Sequence, residues 1–528
     1  SLRASSAKRG LAVDWSDHLG ASGGLRVNAV AEDALGFREG FRLRRSGVNP
    51  VAEFALGADT LAQVGLEHFE DRRTTDRGIP ALNGRPYDTA RRTFFGNPDQ
   101  SPSSAVVDAL GARVETSLAP GLTLRNAFRV TRYDISRQNV QANSVVNPAT
   151  NQLRISAYRT VNDRTNLFDQ TELEWKVGGG GVEHLLLAGL ELGRQRSAST
   201  RLTGYFGAAE TIQVDARSPR ATVTLWAPKA TDANNEATGS VAALYLQDQI
   251  TLSSRWKAVL GARFDRFHVD LDDRGPANGD LSRTDRAVSP KAGLLFQPTA
   301  TASYYASWGT SFLPSSETLS LSTSNADLKP ETAINWELGG KWELSEGTAL
   351  TAALFRTDRA DVKSKDPNDP TKLILSGLQR TEGLELGVQG QLTQAWQVYA
   401  GYAWMDARVV KATGGSATAA PVPAGTRVPL VPRNAATWWN KVNLNARWSF
   451  GLGLIHQGRV FASTTNAVTL PGFTRTDAAA YLDLRRAGRL ALNVENLLDR
   501  TYHATAGSDF NILVGSPRKA QLTWSVRF

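Results

Sequence analysis

The last eleven residues of the chain, Arg518 to Phe528, alternate without a break. Ala520, Leu522, Trp524, Val526 and Phe528 fall on one side, and Lys519, Gln521, Thr523, Ser525 and Arg527 on the other. A period of two places successive side chains on opposite faces, which is the geometry of a strand. A tilted strand needs roughly 9–11 residues to cross a bilayer, and an apolar outer face with a polar inner face is the dyad repeat of an outer-membrane barrel. One half-buried antiparallel strand can carry this pattern by itself, so its weight comes from recurrence. In Leu490–Leu497, Leu490, Leu492 and Val494 oppose Ala491, Asn493 and Glu495. In Ser240–Ile250, Leu244, Leu246 and Ile250 share their face with Asp248, an imperfect register.

The connections between such segments come in two kinds that alternate. The short kind is turn-like: Leu19–Gly23, Gly57–Asp59, Ala119–Gly121, Gly178–Gly181, Ser253–Ser254, Gln297–Thr299, Ser345–Gly347, Thr393–Gln394, Asn443–Asn445 and Arg486–Gly488. The other kind is mostly long and polar: Ala34–Arg38, Asp71–Ser104, Ile135–Asn151, Ser197–Ala237, Asp270–Asp285, Leu313–Leu328, Asp361–Gly377, Lys411–Arg433, Phe461–Gly472 and Thr501–Ser516. Short periplasmic turns and long extracellular loops are the mark of a transmembrane barrel, whereas a soluble sandwich mixes its loop lengths. About 21 clear strands and a stub at Ser1–Ser5 point to an all-β, antiparallel barrel of about 22 strands, because closed single-chain barrels use even numbers. Residues 1–528 then form one barrel domain. Tryptophans such as Trp15, Trp175, Trp256, Trp336, Trp404 and Trp448 sit near strand ends, where interfacial aromatic girdles are expected.

Composition removes most other classes. No run of about 18 apolar residues offers a membrane helix, and a mean hydropathy of −0.30 is compatible with strands that are apolar on one face alone. Cysteine is absent, so disulfides and thiolate metal sites are excluded. The six histidines show no metal-binding spacing. The net charge of +9 is scattered and accompanies no nucleic-acid-binding motif, so a basic lumen that attracts anions suits it as well. No signal peptide is recognisable, as expected of a mature or shortened chain. No nucleophile elbow, Walker motif or dinucleotide fingerprint occurs, and no enzyme is expected. Gly178–Gly181 is a tight turn with no helix behind it to cradle a phosphate. Asp270, Asp272, Asp273 and Asp280 offer oxygen ligands for calcium, but their order does not match an EF-hand loop, and a solvated acidic loop is the better reading.

Several motifs, in order, resemble TonB-dependent outer-membrane receptors. Leu328-Lys329-Pro330-Glu331 followed by Trp336-Glu337-Leu338-Gly339-Gly340-Lys341 resembles one segment of the family, and Asn493 to Tyr502 another, with Leu498 where Phe is usual. Tyr245–Ile250, Gly261–Asp265, Ser289–Phe296 and the terminal Gly515-Ser516-Pro517-Arg518 to Phe528 are also similar. Asp76–Pro80 and Phe94–Ser101 resemble a loop of siderophore receptors, the catecholate type especially. The resemblance implies a monomeric receptor of the Gram-negative outer membrane for a ferric siderophore, with no cofactor of its own. It implies contact with outer-membrane lipid and lipopolysaccharide, and energisation by TonB. The family's N-terminal plug and TonB box have no counterpart here. Ala7–Asp14 already resembles the second barrel strand, so TonB is expected to act only through a region outside this chain.

The site is expected in Asp71–Ser104. It gathers Arg72, Arg73, Arg77, Arg85, Arg91 and Arg92 with Tyr87, Phe94 and Phe95. Guanidinium supplies charge for an anionic complex and stacks on flat rings, and aromatics supply apolar area. Arg77, Arg92, Tyr87, Phe94 and Phe95 are the expected substrate contacts, joined by lumen-facing Tyr305 and by Phe312 at a loop entrance. A basic loop that faces lipopolysaccharide would look alike. A passive porin-like channel, a receptor for another substrate such as vitamin B12, and a soluble β-rich enzyme or adhesin are the competing readings.

Overall fold

A computed structural model describes residues 1–5, 7–20, 22–275, 279–314, 329–365, 373–375, 377–412 and 421–527. The wall runs through β1 (Leu2–Ser5), β2 (Lys8–His18), β3 (Gly23–Leu35), β4 (Arg42–Ala55), β5 (Thr60–Thr74), β6 (Pro102–Ala119) and β7 (Leu122–Ala142). It continues through β8 (Gln152–Gly179), β9 (Val182–Tyr205), β10 (Asn234–Thr251), β11 (Trp256–Asp273), β12 (Leu281–Thr299), β13 (Ala302–Leu313) and β14 (Glu331–Ser345). The circuit ends with β15 (Thr348–Ala360), β16 (Leu378–Gln391), β17 (Trp396–Lys411), β18 (Asn434–Asn443), β19 (Trp448–Gln457), β20 (Phe473–Asp483), β21 (Arg489–Glu495) and β22 (Lys519–Ser525). Each strand pairs antiparallel with the next. β1 pairs with β22 through Leu2–Trp524, Arg3–Thr523 and Ala4–Leu522, which closes the ring at 22 strands. Two 3-10 turns, Pro98–Gln100 and Arg485–Ala487, are the helical pieces among the described residues.

The dyad pattern decides the faces. Leu522 and Trp524 point outward with Leu492 on β21, as the alternation predicts, and Phe528 lies outside the described residues. A broad outer band of exposed Leu, Val and Phe is edged by tryptophan on both sides. Trp15, Trp175, Trp256, Trp396 and Trp448 sit by the short turns, and Trp336, Trp404 and Trp438 toward the loops. Those are the two interfacial girdles. The inward face is polar: Arg125 bridges Glu174 at 2.9 Å and Glu115 at 3.1 Å, and Arg263 bridges Asp265 at 2.9 Å and Glu191 at 3.2 Å.

The short turns fall where the sequence places them, but several expected loops are strand. β7 runs on to Ala142, β9 to Tyr205 and β11 to Asp273. With 28 residues, β8 is close to three times the length a bilayer requires. These tops stand in water, so polar sequence there says nothing against pairing. Two short pieces, Thr211–Asp215 and Leu225–Ala227, fold back onto β8 and β9 and extend the sheet. The wall is therefore tall at β7–β12 and low at the seam, where β1 has four residues and β21 and β22 have seven each. The loop expected at Leu313–Leu328 lies largely outside the described residues, as do 366–372 and 376 of Asp361–Gly377 and 413–420 of Lys411–Arg433.

The seam can be tested by pairing the free side of β2. Ser1 and Ala12 exchange backbone hydrogen bonds of 2.5 and 2.8 Å, and below them β2 continues through Val13–His18 with no partner strand on that side among the described residues. Asp14 and Ser16 share the phase of Ala12, so their N–H and C=O groups point across the seam. An unmade backbone bond away from water costs about 1–3 kcal/mol. A chain extended ahead of Ser1 by roughly six alternating residues, enough to pair Val13–His18, is expected to melt higher in the same detergent. Equal melting temperatures would show that the open edge is satisfied without a partner strand.

Candidate functional site

The loop between β5 and β6 is a packed body, not an open arm. Ile79, Ala81 and Phe95 join Val140, Ala142, Val146, Leu153, Ile155, Val460, Leu470 and Ile512 in one buried cluster above the low seam. Backbone bonds stitch it to four neighbours. Ile79 and Ile512 exchange bonds of 2.8 and 2.9 Å, Val146 donates to Ala81 O at 2.8 Å, Thr469 to Gly84 O at 2.9 Å, and Gly96 to Pro219 O at 2.9 Å. Buried Arg38 clamps the loop from below through Asp76 at 2.7 Å and the Gly78 carbonyl at 3.2 Å.

This packing redistributes the expected contacts. Phe94 and Phe95 are 6 % and 3 % exposed, so their ring faces are spent on the protein itself. Phe95 meets Tyr87 edge-on at 6.1 Å, and the Tyr87 hydroxyl donates to Asn151 at 3.2 Å. Arg92 is exposed beside Glu39 at 3.4 Å. Phe312 shares the face of Trp308 and Trp336 by register and therefore looks outward, away from the lumen. Tyr305 does face the lumen, where its ring lies over Gly339 and its hydroxyl donates to Glu337. It stands three residues from the start of β13, near the short-turn end and far from the loop. Neighbouring wall glycines hold aromatic rings in the same way. Asp270 and Asp272 are on a strand, outward, opposite in direction to Asp273, so the acidic residues do not converge. No metal-binding cluster occurs among the described residues.

Arg77 is where the loop meets the inward wall. Its Nη2 donates to the Tyr158 hydroxyl at 2.6 Å, while its buried Nε has no hydrogen-bond partner. No carboxylate lies within ion-pair distance of Arg77 among the described residues. Arg201 stacks over the Tyr158 ring at 4.5 Å, and Arg137 occupies the next dyad position on the same face of β7, exposed. Burial pushes the Tyr158 phenol up, but Arg77, Asn139 and Arg137 outweigh it and leave it below its ordinary value. Three guanidiniums near one ring, of which Arg201 is also paired with Asp232 at 3.2 Å, make an aromatic patch of net positive charge under the loop. The sequence singles out Arg77 among these residues and does not single out Tyr158, Arg137 or Arg201. Arg137 and Arg201 lie in segments that read as loops, and Tyr158 in one that reads as strand.

Arg91 performs a different task. It forms a paired contact with Asp499 at 2.9 and 3.0 Å, tying this loop to the last one. The Arg91 guanidinium, then the Arg518 backbone N–H, hold the Asp499 carboxyl down to about 2. A depressed carboxylate contributes stability above its ordinary value of 3.8, lost as pH falls toward about 2. Protease resistance of the loop is expected to be flat from neutral pH down to about pH 4 and to fall below it. Asp499→Asn should remove that dependence, and an unchanged profile in the variant would assign it to other groups.

The same corner explains the Asn493–Tyr502 motif. Asn496, 1 % exposed, bonds the Arg500 N–H and the Arg500 and Ser516 carbonyls. Tyr502 packs on Phe473 at 4.5 Å and accepts from Arg475 at 3.2 Å. A side chain at Gly515 would enter the Tyr502 ring, so glycine is required there.

The family model described as TonB dependent receptor-like, beta-barrel, matches residues 48–497. The chain belongs to this family. It is a receptor barrel of the Gram-negative outer membrane, and not an enzyme. The metal-pseudopaline receptor CntO of Pseudomonas aeruginosa is 27% identical over 518 residues, 95% of this chain and 71% of that protein. The catecholate siderophore receptor Fiu of Escherichia coli K12 is 25% identical over 98% of this chain and 74% of its own length. Among solved structures, the siderophore receptor PiuA from Acinetobacter baumannii superposes with a TM-score of 0.89 at 22% identity, covering 99% of this chain and 80% of that one. At that identity the likeness establishes the receptor's fold.

Proposed function

We propose that this receptor captures an anionic ferric siderophore, of the catecholate class, at its extracellular mouth. The observation that carries the reading is the lumen-facing Arg77–Tyr158–Arg201 patch: Arg77 has no carboxylate within ion-pair distance among the described residues, and Arg201, paired with Asp232 at 3.2 Å, lies over the same ring. Relatives named for catecholate and other siderophores support it. In this reading Arg77, Arg137 and Arg201 meet the anion, Tyr158 and Tyr87 edge the pocket, and Phe94 and Phe95 hold the loop that presents Arg77. Passage inward is driven by TonB through a plug and TonB box outside these residues. The ferric siderophore is cargo, and the protein needs no cofactor of its own.

The test is a titration of the full receptor, with and without Arg77→Ala, against a ferric catecholate, a ferric hydroxamate, a metal–pseudopaline complex and vitamin B12. Losing one charged contact is worth about 1.5–3 kcal/mol, so the variant is expected to bind the catecholate roughly tenfold or more weakly. Tight binding of another ligand alone removes the substrate class. An unchanged catecholate affinity in the variant removes the site.

A further inference from the structure

Arg201 is held in place by a carboxylate from outside its own strand. By register it lies opposite Thr160, and Thr203 lies opposite Tyr158 one dyad step nearer the loops. The Arg201 side chain therefore reaches one step upward to cover the Tyr158 ring at 4.5 Å. The carboxylate belongs to Asp232, in the connection from β9 to β10. Its Oδ1 stands 3.2 Å from Arg201 Nε. Its Oδ2 accepts from the Thr203 hydroxyl at 2.8 Å and from the Lys229 backbone N–H at 3.0 Å. The Asp232 side chain is 6 % exposed. The backbone around it is fixed as well, because the Arg201 N–H donates to the Ala233 carbonyl at 2.7 Å and the Asp232 N–H to the Lys229 carbonyl at 2.9 Å. Arg201 Nε is thus engaged, while neither Nη nitrogen makes a hydrogen bond among the described residues.

An arginine on an open wall samples many rotamers, and a ligand that stops it must offset that entropy. Here Asp232 fixes Nε and the ring fixes the guanidinium plane, so the two Nη nitrogens are presented before a ligand arrives. The same connection, 206–233, also grips the loop that carries Arg77. The Pro219 carbonyl accepts from the Gly96 N–H at 2.9 Å, Arg220 pairs with Asp99, and Val223 and Gln100 exchange bonds of 2.8 and 3.1 Å. One connection thereby sets both guanidiniums that meet at Tyr158. We infer that Asp232 is a positioning residue of the anion site: it aligns Arg201 on Tyr158, so that the Nη edge of Arg201 and the guanidinium of Arg77 meet the same anion. This rests on the siderophore reading of that site. Asp232→Asn separates alignment from a structural role. The amide oxygen can still accept from Thr203 and Lys229, which keeps the turn, but its NH2 group then faces Arg201 Nε donor to donor.

Losing the carboxylate also leaves one more net positive charge near the anion, which acts in the opposite direction. That gain is long-ranged and is screened by salt, over about 3 Å at 1 M, whereas alignment is not. The experiment is a titration of the full receptor with a ferric catecholate at about 0.15 M and about 1 M salt. It compares wild type, Asp232→Asn, Arg201→Gln and the double variant. At the higher salt Asp232→Asn is expected to bind roughly two- to tenfold more weakly, the effect of having to order one long side chain. It should add nothing once Arg201 is gone. Its heat-dependent gel shift and the protease resistance of 206–233 should match wild type. If Asp232→Asn fails to fold, Arg201→Lys replaces it, because it keeps the charge and removes Nε, and the same weakening is expected. Equal or tighter binding at the higher salt, an undiminished loss in the Arg201→Gln background, or a loss that accompanies protease sensitivity would each overturn the inference alone. A wild-type receptor that does not bind the ferric catecholate overturns the siderophore reading, and this inference with it.

Discussion

Gly78→Ala is expected to abolish high-affinity ligand capture while leaving the barrel intact. Gly78 has φ +86°, and an added Cβ would stand 2.0 Å from the Ile512 carbonyl oxygen. That oxygen is the acceptor of the Ile79 N–H, so the methyl group occupies the place where two loops are stitched. The left-handed backbone costs a non-glycine residue about 1–2 kcal/mol before any clash. Relief requires Ile79 and Ile512 to separate, which releases their two hydrogen bonds and opens the core that Ile79 and Ile512 share. Arg77 is the next residue, so its guanidinium leaves Tyr158. Ligand affinity should fall by more than the roughly tenfold expected of losing one charged contact. Gly96→Ala should act alike, because its Cβ would meet the Val140 carbonyl at 1.8 Å. Gly180→Ala is the control: also at positive φ, but with no atom within 4 Å, in a short turn. Wild-type affinity in Gly78→Ala would mean that the loop body does not position the site.

The barrel was legible because two independent patterns agree on it. The dyad repeat assigns faces, as at Leu522 and Trp524, and the alternation of short and long connections assigns ends. Both are local, so neither needs knowledge of distant contacts. The strand tops of β7–β12 were not legible, because above the membrane neither face is lipid and the alternation of apolar with polar disappears. Arg137 and Arg201 are on those tops, in segments whose polarity reads as loop, whereas Tyr158 lies in a segment that reads as strand. The loop's arginines were visible as a cluster, but composition cannot divide them among partners. Arg91 goes to Asp499, 408 residues away in sequence, Arg73 to Asp71, and Arg77 to a phenol. Phe94 and Phe95 pose a related problem: an aromatic pair in a polar loop reads as a binding surface, and here both rings are buried in the protein itself. The direction of Phe312 turns on parity alone, since a single residue of uncertainty at a strand end exchanges lumen for lipid.

Phe95 separates packing from stacking. Its ring is 3 % exposed and lies in the cluster that joins this loop to four others. Removing a buried phenyl costs about 3–5 kcal/mol, through lost transfer energy and the cavity left behind. A loop held chiefly by this cluster cannot absorb that loss, so Phe95→Ala should expose it to protease and weaken ligand binding together. A hydrophobic replacement of similar size usually costs less than about 1.5 kcal/mol. Phe95→Leu is therefore expected to keep both protection and affinity near wild type. A stacking contact with a catechol ring gives the opposite order. Leucine has no π face, so Phe95→Leu would lose affinity while the loop stayed protected. Arg92→Ala belongs in the same series: it is exposed and 3.4 Å from Glu39, and its loss should change neither readout beyond about half a kcal/mol. Weakened binding in Phe95→Leu with intact protease resistance would return Phe95 to the ligand pocket.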